Sequence, residues 1–234
     1  MNGFEQEGLR DWIGPLLDGA LVTVQIAVAA YVIGILLGLL GAMAKLSGIN
    51  ALRGIAWGYT ALVRAIPELL LIILLYYAGT QGLNSALIAM GFAGGVEIGG
   101  FTAAVSVLAF VQGAYMTEVF RGAIVAIPKS LLEAADSYGM SRGLRFRRIV
   151  LPLMLPNALA GMSNLWLILV KETALVSVVG FEELFFTAQQ AAASTGLYAT
   201  FYLAAGALFL AMTLISNVVF HFAERHVRRG MVRG

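Results

Sequence analysis

Charged side chains inside long apolar stretches are the residues of this sequence whose types could do chemistry. Arg64 and Glu68 lie four residues apart around Pro67, and Lys171 and Glu172 are adjacent in another apolar stretch. A charge in hydrocarbon is costly, so such residues mark solute or ion pathways or internal ion pairs. Two interpretations of Glu68 stay open. It could pair with Arg64 at i, i+4 and support a bend at Pro67, or its carboxylate could bind a cationic solute.

Four further polar positions bear on the same question. Gln112 is a candidate for lining a path, and Thr173 places a hydroxyl beside Glu172. Glu118 and Arg121, at i, i+3, are interpreted as an ion pair at the cytoplasmic end of their helix. We predict no catalytic residue, and we predict a substrate-binding site made of Glu68, Arg64, Gln112, Glu172 and Thr173.

A polar segment between the apolar stretches predicts a separate short helix over about residues 130–142. Ser130 followed by Glu133 matches a capping box, which indicates a helix start. Gly139 indicates a helix end with positive φ. Ala134 and Ala135 keep one face of this helix small, so another surface can approach it closely.

Composition indicates a membrane protein without disulfides. Hydrophobic residues make up 60% of the 234 residues and charged residues only 12%, against about 25% charged in soluble proteins. Cysteine is absent, which excludes disulfides and thiolate metal sites. His221 and His226 lack the spacing of metal ligands, so we expect neither a metal nor a cofactor. The net charge of +2 gives no reason to expect nucleic acid.

Five charge-poor stretches are long enough for membrane-spanning helices, which need about 20 mostly apolar residues. Ser194, Thr195 and Gly196 separate the last of them from a short external amphipathic segment. We predict a single all-α membrane domain over residues 1–234, with spans at about 17–44, 54–80, 98–120, 156–180 and 197–223. In the first span, the glycines at helical spacing predict close helix packing; they are Gly34, Gly38 and Gly41.

The distribution of basic residues predicts the orientation. One set of loops holds nearly all of the cations, among them Lys45, Arg53, Arg121, Lys129 and the arginines that follow residue 140. The opposite set holds Arg10 alone, with several acids. We therefore expect the N-terminus outside and the C-terminus inside, which places residues 130–152 in the cytosol.

The chain has no G-x-x-x-x-G-K-[ST] phosphate loop, so ATP hydrolysis, if it drives transport, needs a separate subunit. Five spans are few for enclosing a solute path. A second membrane subunit across a two-fold interface is therefore expected.

Several segments resemble one transporter family. The spacing E-A-A-x3-G-x9-I-x-L-P, from Glu133 to Pro152, resembles the cytoplasmic loop of ABC importer permeases. Residues 59–70 (Y-T-A-L-V-R-A-I-P-E-L-L), 113–122 (G-A-Y-M-T-E-V-F-R-G) and 173–180 (T-A-L-V-S-V-V-G) resemble polar amino acid permeases of the histidine, arginine and opine branch. The resemblance covers about residues 17–223. One departure is Ala65, where the family pattern R-G-x-P has glycine.

The resemblance implies the type I ABC importer permease fold with five transmembrane helices and a cytoplasmic coupling helix. It also implies two ATPase copies, a second homologous permease, a periplasmic solute-binding protein and a multi-pass location in the bacterial inner membrane. The substrates implied are basic amino acids (histidine, arginine, ornithine) or opines. The ATPase-coupling positions implied are Glu133, Ala134, Ala135, Gly139, Ile149, Leu151 and Pro152.

Two alternatives of another class remain from the residues alone. The first is an ion-coupled secondary amino acid transporter that uses Glu68 or Glu172. The second is a scaffold or channel subunit without its own solute path. The coupling segment argues against both, because neither needs a helix that docks on an ATPase.

Overall fold

The structure, a computed structural model, describes residues 3–90 and 99–228, and its regular structure in these ranges is helical. The first residue of the predicted span 98–120 lies outside these ranges. The α-helices are α1 (Gly3–Leu46), α2 (Asn50–Ala65), α3 (Glu68–Ala89), α4 (Gly100–Val125), α5 (Lys129–Ser137), α6 (Arg142–Arg145), α7 (Leu151–Glu172), α8 (Leu184–Thr195) and α9 (Tyr198–Arg228). A π-helical turn, Phe146–Val150, precedes α7, and a 3-10 segment, Thr173–Val179, follows it.

Five of the described helical stretches are long and apolar enough to cross a membrane. Helix α4 is the most buried of them and forms the centre, with α1, α3 and α7 packed around it. The prediction of an all-α integral membrane fold with five spans is confirmed. The candidate spans, by length and composition, are Arg10–Leu46, Glu68–Ala86, Gly100–Val125, Arg142–Val179 and Tyr198–Val227.

Helices α1 and α4 approach each other through small residues of α1. A Cβ added to Gly38 would overlap Met116, and a Cβ added to Gly41 would overlap Thr117. The backbones can come this close only because glycine has no side chain. The predicted close packing along this face is confirmed.

The predicted second span is not one bent helix. Helix α2 ends at Ala65, Ile66 is extended (φ −93°, ψ 138°), and α3 begins at Glu68. The residue before a proline is driven out of the α region by contact with the proline ring, so the chain breaks completely at Pro67. Glu68 is therefore the first residue of a new helix, and the expectation that it lies near the middle of a continuous span is wrong.

Helix α5 lies where the short polar helix was predicted, but it begins differently. Its N-cap is Pro128, and no side chain caps its first turn. The capping box of Ser130 and Glu133 is therefore wrong. The carbonyl of Pro128 instead accepts a hydrogen bond from the N–H of Leu131 (3.1 Å). The backbone of Pro128 (φ −55°, ψ 129°) thus begins the turn without a side-chain cap.

The predicted end of this helix at Gly139 is confirmed. Gly139 has φ +71°. Its N–H donates to the carbonyl of Asp136 (2.9 Å), and the N–H of Met140 donates to the carbonyl of Ala135 (3.2 Å). This pair of bonds is the Schellman motif, which requires the left-handed conformation that glycine adopts without strain. Helix α5 is shorter than the predicted range of 130–142.

Helix α8 is the short segment predicted before the last span, and Gly196 (φ +76°) separates it from α9. Glu183 caps α8 by accepting hydrogen bonds from the N–H groups of Phe185 (2.8 Å) and Phe186 (3.0 Å). The hydroxyl of Thr23 on α1 donates to the same carboxylate (3.0 Å). This cap fastens α8 to α1.

Candidate functional site

The break at Pro67 gathers polar side chains at the start of α3. Glu68 occupies the first turn of α3, where the helix dipole favours a negative charge. Tyr115 of α4 donates a hydrogen bond from its hydroxyl to Glu68 Oε1 (3.0 Å). Arg64, the penultimate residue of α2, lies over the ring of the same tyrosine, with Cζ 5.8 Å from the ring centroid. The tyrosine therefore stands between the two charges.

The i, i+4 ion pair with Arg64, one of the two interpretations of Glu68, does not form among the described residues. Among the described residues, the ion pairs join Glu118 to Lys45 and to Arg121, and Asp136 to Arg145. The break removes the continuous helical turn that an i, i+4 pair needs. Arg64 therefore remains exposed at the end of α2.

Glu172 joins this group from the end of α7. Its side chain is buried, and its carboxyl group is close enough to that of Glu68 for the two to interact electrostatically. Lys171 also acts on it. In the part of the chain that the structure describes, Glu172 Oε1 is a buried side-chain oxygen without a hydrogen-bond partner. Two carboxyl groups this near in an apolar setting do not both stay ionised and unpaired, so they share a proton or hold a cation between them.

A change of helix type positions Glu172. Helix α7 ends at Glu172, and the chain continues as a 3-10 helix to Gly180, which has φ +81°. A 3-10 stretch of this length inside a span is uncommon and often marks a functional hinge. Thr173 is fully buried, and its hydroxyl donates to the carbonyl of Val170 (2.8 Å). Its hydroxyl is thus bonded to its own helix.

Gln112 has a different place. It is 1% exposed, and its amide donates to the carbonyl of Leu165 on α7 (3.1 Å). A Cβ on Gly34 would lie 2.9 Å from its Cγ. Gln112 therefore packs between α1, α4 and α7, away from the carboxyl groups. The structure brings together Glu68, Arg64 and Glu172 of the five predicted site residues.

Tyr115 was not among the residues predicted for the site. The only signal was a hydroxyl inside an apolar span, in the segment G-A-Y-M-T-E. A buried hydroxyl needs a hydrogen-bond partner, but the partner lies 47 residues away and follows from helix packing alone.

A second polar group lies one turn further along α4, around Glu118. The predicted pair of Arg121 with Glu118 is confirmed (Nε–Oε2 2.9 Å). Lys45, whose side chain is fully buried, forms an ion pair with the same glutamate and a hydrogen bond with Thr60. Its Nζ lies 3.8 Å from the ring centroid of Trp57. This group joins α1, α2 and α4, and it fixes α2 against the core.

The segment that carries the predicted coupling positions exposes some of them and buries others. Glu133 and Ala134 are exposed, whereas Ala135 is 4% exposed and packs inside the subunit. The two alanines therefore do not form one small outer face, and that expectation is wrong. Asp136 and Arg145 form an ion pair that ties α5 to α6.

The remaining coupling positions lie where α6 passes into α7. Ile149 and Leu151 are half-buried, and Pro152 is exposed. The π-helical turn Phe146–Val150 lies between α6 and α7. Pro152 and Pro156 both lack an N–H, so the ordinary i→i−4 hydrogen bonds are interrupted here. Such π turns are frequent at functional sites.

The sequence profile of the family described as binding-protein-dependent transport system inner membrane component matches residues 19–229. The chain belongs to this family. It is a membrane permease subunit of an ABC transport system, and ATP hydrolysis takes place in a separate subunit. The interpretation as an ion-coupled secondary transporter is not supported.

Known permeases match nearly the whole length of this chain in sequence. The chain is 42% identical to the histidine/lysine/arginine/ornithine transport system permease protein of Escherichia coli (strain K12), over 96% of this chain and 98% of the relative. It is 40% identical to the octopine transport system permease protein of Agrobacterium tumefaciens (strain Ach5), over 99% and 97%. A crystal structure of an amino acid ABC transporter with histidines superposes with a TM-score of 0.78 at 29% identity, covering 97% of this chain and 99% of the other.

Proposed function

We propose that this chain is the solute-conducting permease subunit of an ATP-driven importer for basic amino acids or opines. The observation that carries the proposal is the buried carboxylate oxygen of Glu172, which has no hydrogen-bond partner and lies beside Glu68. The relatives named for histidine, lysine, arginine and ornithine and for octopine support the same substrate class.

The two carboxyl groups give a cationic solute its counter-charge within the membrane. An ionised group is costly to solvate there, so a path for a cation needs opposite charges along it. Charge-assisted hydrogen bonds contribute about 1.5–3 kcal/mol each, or roughly 10- to 150-fold in affinity. Tyr115 holds Glu68 in place, and exposed Arg64 offers a partner for the carboxylate end of an amino acid.

The coupling segment supports an ATP-driven mechanism. Helix α5 exposes Glu133, Ala134 and the turn at Gly139, which makes it the surface offered to an ATPase. Ala135, Ile149 and Leu151 act from within by holding this helix on the subunit. We place this side in the cytosol and the N-terminus outside, because the basic loops lie on the same side as α5.

The assembly that we propose contains two ATPase copies, a second homologous permease and a periplasmic solute-binding protein in the bacterial inner membrane. Family membership supports the ATPase partners. The second permease is inferred because Arg64 and Glu68 are not enclosed within this subunit: Arg64 is exposed and Glu68 is half-buried.

Uptake by the transporter reconstituted in vesicles tests the substrate site. Glu68→Gln and Glu172→Gln keep the shape of the side chain and remove the charge. Each should reduce uptake of arginine or histidine by roughly tenfold or more, as the loss of one charge-assisted contact predicts. The matched control is Glu182→Gln, which removes an exposed charge outside the spans and should transport normally.

Two measurements separate the outcomes. Normal uptake of basic solutes by both Glu68→Gln and Glu172→Gln, at normal assembly, would contradict the substrate site. Uptake by the wild type without ATP would contradict the proposed class of transporter, whichever residues bind the solute.

A further inference from the structure

A lateral groove lies between α1, α7 and α9, on a different face from the carboxyl groups. Its volume is about 450 Å³. Val170 of α7 lines it, and Glu172 follows two residues later, about 200° around the helix. The groove therefore opens away from the proposed solute path. The side chains that line it and carry the argument are Val28, Tyr31, Trp166, Val170, Ile215 and Val219.

The groove lies at the depth of lipid tails. Val28 is the central residue of the span Arg10–Leu46, and Ile215 lies close to the middle of the span Tyr198–Val227. Its rim is open, because Val28 is 47% exposed and Val219 is 60% exposed. A surface at this depth that faces away from the path meets hydrocarbon rather than water.

The two polar side chains on the floor of the groove already donate their hydrogen bonds within the protein. The floor holds Tyr31, whose hydroxyl donates to the carbonyl of Met162 (2.8 Å), and Trp166, whose Nε1 donates to the Ser216 hydroxyl (2.8 Å). Both donors are used within the protein, so the surface that remains is apolar. The floor thus suits a ligand that consists of hydrocarbon at this depth, without a polar group.

The shape favours a chain over a flat contact. Walls from three helices surround the occupant, so it gains dispersion contacts on several sides, whereas a lipid on a flat helix surface gains them on one. The rings of Tyr31 and Trp166 pack edge to face (5.2 Å between centroids), which makes the floor rigid. One acyl chain therefore stays bound in a groove of this kind for a longer time than a chain stays in place in the surrounding bilayer.

We propose that this groove binds one acyl chain of a membrane phospholipid, which acts as a retained structural ligand between α1, α7 and α9. The acyl chain fills the space between these three helices and so supports the packing of α9. The proposal does not depend on the identity of the transported solute.

Labelling of the wild type is the first test. The assembled transporter is reconstituted with a phosphatidylethanolamine that carries a diazirine in the middle of one acyl chain, then extracted in detergent, washed and irradiated. We expect labels within residues 24–32 and 212–220. Labels that are absent there, or spread evenly over the exposed apolar residues of all spans, would overturn the proposal.

Two adjacent valines of α9 provide a matched pair of variants. Val219 lines the groove, and Val218, 55% exposed, does not. Val219→Phe should lower the phospholipid retained after washing, measured by native mass spectrometry, by roughly tenfold. Val218→Phe should retain it as the wild type does, and equal retention by both variants contradicts the proposal.

A cross-linking experiment tests the rival occupant, a helix of a second permease. The chain has no cysteine, so Val219→Cys introduces a single thiol. We expect this thiol not to form a disulfide, when an oxidant is added, with cysteines placed along the spans of the partner permease. Efficient cross-linking to the partner would show that a protein covers the groove, and the lipid proposal would then be wrong.

Discussion

Tyr115 of α4 donates a hydrogen bond to the carboxylate of Glu68, which begins α3 just after the break between α2 and α3. The tyrosine belongs to α4, the most buried span, whereas Glu68 starts a helix that is largely exposed. A rigid element thus holds the carboxylate of Glu68, which its own helix would leave free to change rotamer. Arg64 lies over the same ring, so one side chain orients both charges.

Tyr115→Phe should weaken selection of basic solutes without harming assembly. The ring stays beneath Arg64, but the hydrogen bond to Glu68 is lost, at a cost of about 1.5–3 kcal/mol for a charged acceptor. We expect the apparent affinity for arginine in vesicle uptake to fall roughly tenfold. Tyr198→Phe, at a 52% exposed position at the start of α9, is the control and should behave as the wild type. Equal apparent affinities in the two variants would rule out a role of the hydrogen bond.

Gly139→Ala should separate ATP hydrolysis from uptake. A Cβ at this position meets open space, so the strain comes from the positive φ alone, about 1–2 kcal/mol. The turn after α5 then relaxes and the helix end shifts. Uptake per ATP hydrolysed in reconstituted vesicles should fall, while the amount of subunit in the membrane stays normal.

Two comparisons make this test specific to the conformation of Gly139. Gly139→Asn should retain more coupling than Gly139→Ala, because asparagine tolerates the left-handed region. Gly143→Ala, which adds a methyl group in open space within α6, should leave coupling intact. If Gly139→Ala couples as well as Gly143→Ala, the left-handed turn has no part in coupling.

Gly38→Ala should destabilise the subunit through the contact of α1 with α4. The added methyl group overlaps Met116, and overpacking of this kind costs about 1–3 kcal/mol. The midpoint of unfolding of the purified transporter in detergent should therefore fall. Gly14→Ala lies in the same helix with nothing within 4 Å of the new Cβ, and it should leave the midpoint unchanged or raise it. Equal midpoints for the two variants would contradict the close packing.

Glu183 should make stability depend on pH on the side of the membrane where α8 lies. Burial raises the pKa of Glu183 above its ordinary value of 4.5. The folded state therefore holds the proton more tightly than the unfolded state. The contribution of Glu183 to the stability of the fold is therefore greatest below pH 4.5 and is lost as the pH rises through the raised pKa.

The matched variants for this pH dependence are neighbours in the chain. Glu183→Gln keeps an oxygen for the cap and cannot titrate, so its unfolding midpoint should decline less than that of the wild type between pH values below 4.5 and neutral pH. Glu182→Gln, at an exposed position, should follow the wild type. Parallel pH profiles for the wild type and Glu183→Gln would show that Glu183 does not cause the effect.

The features that the sequence alone determined are local ones. Long charge-free stretches specify membrane spans, since hydrocarbon tolerates few charges over about 20 residues. Gly139 ends α5 and Gly196 ends α8, because glycine adopts a positive φ without strain. The coupling segment and the family could be identified because their signature positions lie within a few turns of one another along the chain.

The tertiary structure alone decided which of these residues meet. Pro67 predicted a disturbance, but the complete break, and with it the place of Glu68, depends on how α2 and α3 pack on α4. Lys45 served only to indicate orientation, yet its side chain is buried against Glu118, 73 residues away. Helices distant in sequence choose partners through the fit of their surfaces, which periodicity and spacing do not encode.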